Sequence, residues 1–374
     1  MDTKNAAFTG TDTKAAQISS DKNSDNFVKI NPVFDFTSFA DAFYSDADQL
    51  LEQQTEANAN KGLFTVKTAN EWIEQAKNRP NPKMLFGKLW FETELCILFS
   101  DANLGKSCLA VQIGNSISKG EAMKGFTLEA SRQPVLYFDF ELSDKQLEFR
   151  YSDNYKNHYR FDDDFFRVEI NNNSDIPTGM DFITFLNLSM ERTIADKGAK
   201  VVIIDNLTYL RNGTETAKDA LPLMKLLKSL KAKYGLSLLV LAHTPKRDLS
   251  KPLTKNDLQG SKMLINFCDS CFAIGESFLD TNLRYIKQIK QRNCEQVYHA
   301  DNVGVLELVK YENFLLFEFF NFGKEKEHLR TLSDKDKLDL EVNVKKLREE
   351  GKSLREIGRD LSISKSKVER LIKK

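Results

Sequence analysis

The chain has 374 residues, 41% of them hydrophobic and 29% charged, with no apolar run long enough to span a bilayer. At roughly 150 residues per domain this length implies about two domains and excludes a peptide or disulfide miniature. Fifty-four Lys and Arg balance 54 Asp and Glu, which excludes a bulk polycation coating nucleic acid or membrane and leaves only local contacts of that kind. No apolar signal run follows Met1-Asp2-Thr3-Lys4-Asn5, and the five cysteines, an odd number in apolar stretches, suit reduced thiols. A cytoplasmic protein without a membrane partner is expected.

Residues 1–60 hold four lysines against ten acids, and the first 25 are too polar to repay ordering entropy. An acidic, largely disordered N-terminal region is expected, with a short amphipathic stretch at 34–51. Within 61–84, Thr68-Ala69-Asn70-Glu71 is a capping-box pattern opening a short helix with Trp72 and Ile73, and Arg79-Pro80-Asn81-Pro82 ends it in a linker. From 85 to 322 short apolar runs alternate with helical periodicity, predicting an α/β domain built on a mainly parallel sheet flanked by helices. Strands are expected at Leu95 to Phe99, Val135 to Asp139, Val201 to Asp205, Leu236 to Ala242 and Cys268 to Ile274. Runs at 284–290, 303–309 and 315–320 have no helix between them and predict an antiparallel extension. The remainder, 323–374, reads as a small all-α domain, and its last 24 residues carry eight basic side chains against three acids.

Leu95-Cys96-Ile97-Leu98-Phe99, a loop, and a helical run from Cys108 stand in the order strand, loop, helix that a phosphate-binding loop needs. The expected ATP-binding set is Ser100, Asp101, Ala102, Asn103, Leu104, Gly105, Lys106, Ser107 and Cys108. Gly105 lets backbone N–H groups close on phosphate, Lys106 reaches the β and γ oxygens, and Ser107 can hold Mg²⁺ at the positive helix end. Ser100 stands where a first glycine is usual. Asp205 ends a buried strand at a position from which a carboxylate can serve the metal, although many buried strands end in Asp. Glu141 emerges beyond Val135 to Asp139, where it can deprotonate water or simply favour a helix N-terminus. Cys268-Asp269-Ser270-Cys271 has no second thiol or imidazole pair at zinc spacing, so it is read as strand.

The order loop, Phe-Glu-Leu-Ser, Val-Val-Ile-Ile-Asp, Leu-Ala-His-Thr, Gln-Gly-Ser, Lys-Gln-Arg-Asn resembles the RecA-type motor core, and within it the hexameric replicative helicases of the DnaB and plasmid RepA kind, over residues 85–322. The resemblance implies that Glu141 activates water, Asp205 serves the metal, and His243 senses the γ-phosphate. It also implies that Lys290 and Arg292 enter a neighbouring subunit's site, with Cys294 standing where the family has Gly. A homo-oligomer, a hexameric ring, follows from that, with ATP and Mg²⁺ as cofactors and replication proteins as further partners.

The stretch from Pro245 to Lys262 is basic and holds Lys246, Arg247, Lys251, Lys255 and Lys262, suiting either a grip on a phosphate backbone or a solvated loop. RecA-type motors place a DNA-binding loop there. Arg211 to Thr216 is in the other channel-facing position and has little charge. The tail 352–371 resembles a helix-turn-helix of the resolvase and sigma-factor type, with Ile357, Leu361, Ile363, Val368 and Leu371 as its buried face. Its second helix would present Lys365, Ser366, Lys367 and Arg370 to duplex DNA. The combined expectation is an ATP-hydrolysing DNA motor, a helicase of a plasmid, phage or mobile element acting on single- and double-stranded DNA. The alternatives are an ATP-dependent site-specific regulator or loader, and a recombination-type filament ATPase.

Overall fold

The computed structural model describes residues 64–171, 173–207, 217–245, 247–258, 261–330, 334–361 and 365–372. The elements below lie in one compact unit, Ala69–Lys374. The expected tail at 1–60, the loop Arg211 to Thr216 and Ile363 of the expected helix-turn-helix fall outside the described residues.

Helix α1 (Ala69–Lys77) precedes a small hairpin, β1 (Met84–Phe86) and β2 (Trp90–Phe91). The main sheet begins with β3 (Leu95–Ser100), which feeds α2 (Lys106–Lys119). Next come β4 (Val135–Asp139), α3 (Asp144–Arg150), a two-stranded ribbon of β5 (Ser152–Asp153) and β6 (Asn157–His158), and β7 (Phe165–Val168). Then follow α4 (Phe182–Lys197), β8 (Val201–Asp205), α5 (Ala217–Tyr234), β9 (Ser237–His243), α6 (Ser261–Phe267) and β10 (Ser270–Glu276). Three long strands close the sheet: β11 (Leu283–Lys290), β12 (Val303–Tyr311) and β13 (Phe314–Gly323).

The nine strands lie in the order β13-β12-β11-β10-β3-β9-β8-β4-β7. The run β10-β3-β9-β8-β4-β7 is parallel, and β10 to β13 are antiparallel neighbours. The sheet is mixed, and its antiparallel wing follows from the missing crossover helices. Central strands are buried on both faces, which is why they read as continuous apolar runs. Leu95, Ile97 and Phe99 of β3 pack with Leu186, Met190, Leu223 and Leu227 of α4 and α5. Cys96 and Leu98, pointing the other way, join Leu109, Val111, Ile113 and Ile117 of α2.

β3 and β4, adjacent in sequence among the core strands, are separated in the sheet by β9 and β8. Loops leaving β3 and β4 therefore diverge, and a crevice forms at the C-terminal edge, as open α/β sheets provide at a switch in strand order. Strand register sets four side chains at that edge: Ser100 pairs with His243, and Asp139 pairs with Asp205.

β13 folds against α2, where the Gln112 amide bonds both Phe317 backbone groups (2.9 and 2.8 Å). Helix α7 (Glu325–His328) follows and is rooted in the sheet. Glu325 is 1% exposed; it accepts from Leu253 N–H (2.6 Å), Tyr285 hydroxyl (3.3 Å) and Lys287 Nζ (2.5 Å). Ser277 Oγ meets His328 Nδ1 at 2.8 Å. The helical C-terminal region expected from residue 323 thus begins with a helix that packs as part of the sheet layer. Beyond it, α8 (Asp334–Glu349), α9 (Leu354–Asp360) and α10 (Lys365–Ile372) gather Val344, Ile357 and Val368 into a small separate core, with Leu361 and Leu371 packed on it.

Candidate nucleotide site

The loop between β3 and α2 wraps the helix N-terminus. Gly105 caps α2 at φ 89°, a left-handed conformation, and a Cβ there would lie 2.7 Å from the Phe317 ring. Only glycine fits both demands. Ser100, in place of the usual glycine, is fully buried and donates its hydroxyl to Asp101 O at 2.8 Å. Lys106 is 6% exposed; its Nζ reaches Ser100 O (3.2 Å), Ser100 Oγ (3.3 Å), Asp101 O (3.1 Å) and His243 Nδ1 (3.2 Å). Burial lowers its pKa, and the charges of Asp205, Glu141 and Asp101 oppose that.

Asp205 ends β8 and is 1% exposed. Tyr137, fully buried on β4, donates its hydroxyl to Asp205 Oδ2 at 2.7 Å. Oδ1 has no hydrogen-bond partner among the described residues. Burial pushes the carboxyl up to about 6, against the Ser107 and Tyr137 hydroxyls. A buried carboxylate oxygen without a donor, beside the first-turn serine of α2, is a donor set that fits a hard divalent cation such as Mg²⁺.

Glu141 follows β4, where four hydrogen bonds fix its loop. Phe140 N–H donates to Asp205 O (2.8 Å), Asp139 Oδ1 accepts from the N–H groups of Glu141 (3.2 Å) and Leu142 (3.0 Å), and Arg167 Nε holds Asp139 Oδ2 (2.8 Å). The Glu141 side chain is 40% exposed, and its Oε1 lies 3.4 Å from His243 Nε2. Asn206 Nδ2 also donates to Oε1 and sits 3.1 Å from His243 Nε2. Hydrogen bonding to His243 lowers the Glu141 pKa, more than burial raises it. Lys106, Asp205, Glu141 and His243 thus converge from four elements.

Other expected site residues are placed differently. Arg247 is turned inward, its side chain 5% exposed, with Nε 3.0 Å from Asp101 Oδ2 and Nη1 3.2 Å from Lys251 O. Thr244 donates to the other Asp101 oxygen. Arg247, expected among the cations that grip DNA, instead forms a staple between the phosphate-binding loop and the segment after β9, paired with the partly buried carboxylate of Asp101. Lys251 is exposed and 3.4 Å from Asp248, and Lys255 is exposed. Lys246 and the side chains of Lys262, Lys365, Ser366 and Lys367 lie outside the described residues, and Arg370 is exposed on α10.

Lys290 and Arg292 lie away from the edge that carries Ser100 and His243: Lys290 is level with Ile97 in the middle of β3, and Arg292 meets Asp269, whose N–H bonds Leu95 O at the start of β3. Lys290 Nζ donates to Ile265 O and Cys268 O (both 2.6 Å), and Arg292, 54% exposed, lies 3.3 Å from Asp269. Within one chain neither belongs to the cluster around Lys106. Cys268 and Cys271 are buried free thiols.

Residues 64–248 match the family model of the AAA domain. With the loop geometry, this match supports a P-loop ATPase. No curated protein matches the chain. Among the described residues no helix is long and apolar enough to cross a membrane. Sequence reading missed Asn206, Tyr137 and Arg167. Asn206 carried one signal, a polar residue directly after a strand-ending Asp, whereas the other two depend on partners from neighbouring strands.

Proposed function

We propose that this chain is an ATP-driven, ring-forming DNA motor of the replicative-helicase type, serving a plasmid, phage or other mobile element. The observation that carries the reading is the convergence of Lys106, Asp205, Glu141 and His243 at the crevice of the sheet, in the chain order of a RecA-type motor. Backbone N–H groups from Asn103 to Cys108 cradle phosphate, and Lys106 turns from its own loop carbonyls to the β and γ oxygens. Ser107 and Asp205 hold Mg²⁺, which when bound neutralises phosphate charge. Glu141 takes a proton from water, whose oxygen bonds to the γ-phosphorus as the bond to the bridging oxygen breaks and ADP leaves with that electron pair. His243, bridging Lys106 and Glu141, registers the γ-phosphate.

Lys290 and Arg292, far from their own chain's Lys106, act in a neighbouring subunit's site, which makes the working unit an oligomer. Lys251 and Lys255, with the basic helix α10, contact DNA. The three-helix core at the C-terminus also favours a second reading, an ATP-controlled regulator that assembles on one duplex site. The deciding experiment is ATP hydrolysis by purified protein with Mg²⁺, with and without single-stranded DNA, beside Lys106→Ala. Stimulation by single strands that vanishes in the variant supports the motor. Hydrolysis indifferent to single strands, or seen only with particular duplexes, supports the regulator, and helical filaments on DNA instead of closed rings would mark a recombination-type ATPase.

A further inference from the structure

Asn206 is 2% exposed and follows directly on the strand that carries Asp205. Its side chain reaches across to the loop after β4 and donates from Nδ2 to Glu141 Oε1. The carboxylate fixes the orientation of the amide, since the reverse rotation would set oxygen against oxygen. The His243 tautomer follows in the same way. Lys106 Nζ, a donor only, lies 3.2 Å from His243 Nδ1, so Nδ1 accepts and the ring proton sits on Nε2, 3.4 Å from the same Glu141 oxygen. The 3.1 Å approach of Asn206 Nδ2 to His243 Nε2 is then two donors converging on one acceptor.

One oxygen of Glu141 is therefore held from two sides, and Oε2 accepts no hydrogen bond from the described residues. The backbone of Glu141 is fixed separately, through Asp139 and Arg167. His243 sits at an exposed edge, with 29% of its side chain open, whereas the Asn206 amide is buried and its ordering is prepaid by folding. A general base works when its carboxylate is aimed before the substrate arrives.

We propose that Asn206 is a positioning residue for hydrolysis: its amide clamps Glu141 Oε1 and aims Oε2 at the attacking water. This rests on the reading of Glu141 as the base. Asn206 itself touches neither phosphate nor water in this role, so its removal is felt in turnover and not in nucleotide binding.

The test uses the full chain and measures Mg·ATP affinity and single-turnover hydrolysis for Asn206→Ala, Asn206→Asp, Glu141→Gln and the double variant Glu141→Gln/Asn206→Ala. Asn206→Ala should keep ATP affinity within about twofold and slow hydrolysis by about 10- to 100-fold, a share of the 10²–10⁴ that a positioned base supplies. Asn206→Asp, nearly the same shape, should be at least as slow, because it sets a carboxylate against Glu141. In the Glu141→Gln background, Asn206→Ala should cost no further rate, since the residue acts through Glu141 alone. An equal loss in both backgrounds, or weaker ATP binding with unchanged turnover, would overturn the proposal. Wild-type turnover in Asn206→Ala while Glu141→Gln is dead removes the proposal and leaves the base in place; full turnover in Glu141→Gln removes both.

Discussion

Arg247 separates two accounts of the segment after β9. On sequence it is one of several cations for a phosphate backbone, whereas in the structure its Nε lies 3.0 Å from Asp101 Oδ2 and its side chain is 5% exposed. Arg247→Ala removes a charge-assisted hydrogen bond, worth about 1.5–3 kcal/mol when well shielded. The Asp101 side chain is 26% exposed, and solvent screening brings the figure down to about 1–2 kcal/mol. If that energy holds the phosphate-binding loop in its binding shape, Mg·ATP affinity falls by a factor of about 5 to 30. Arg247→Lys should recover only part, because an ammonium cannot hold Asp101 and Lys251 O in one planar fork. The assay is calorimetric or fluorescent titration of Mg·ATP without DNA, with hydrolysis measured in the same buffer. Unchanged ATP affinity and DNA-free hydrolysis, together with weakened DNA binding, would refute the staple and return Arg247 to the DNA surface.

Glu141→Gln should bind ATP with near wild-type affinity and hydrolyse it at least about 100-fold more slowly; rapid phosphate release in a quenched single turnover would show that another group is the base. Burial raises the Asp205 pKa from 3.8 to about 6, so between those values the native chain keeps a proton that the unfolded chain has lost. Stability therefore falls as pH rises through that window, by about 3 kcal/mol in all. Asp205→Asn should raise Tm at pH 7 in magnesium-free buffer, gain nothing below pH 4, and lose magnesium-dependent hydrolysis; an equal Tm gain at both pH values would show that burial of the charge is not the cause. Removing 334–374 should spare DNA-free ATP hydrolysis and weaken duplex binding in a gel-shift titration, and unchanged duplex affinity would move DNA contact to the sheet domain.

Much of the sheet was legible because buried parallel strands leave an unmistakable mark. Val135–Asp139 and Val201–Asp205 run continuously apolar and then stop at a carboxylate, and each boundary matches the strand found. The antiparallel wing was legible from what its connections lack. β7 was not, since Phe165–Val168 is four half-buried residues between Asp162 and Glu169, a pattern that polar loops share. The hairpin of β1 and β2 is shorter still. In the site, residues whose chemistry is local to the loop could be read in order, whereas the Tyr137 hydroxyl on Asp205 and the inward turn of Arg247 arise from contacts across 68 and 146 residues of sequence. No spacing rule encodes such pairs.

The rooting of α7 bears on how this molecule can be taken apart. Composition shifts after Gly323, yet Lys287 on β11 finds its counter-ion at Glu325, and the Leu253 N–H finds its acceptor there. A fragment stopping at Gly323 would strand an 11% exposed ammonium and an amide in the sheet layer, a loss of about 3–5 kcal/mol for the broken pair alone. Arg330 N–H still bonds Leu249 O, so the ATPase body ends with the chain that follows α7. Any recombinant enzyme meant to stand without its helical tail needs those few residues as its own terminus.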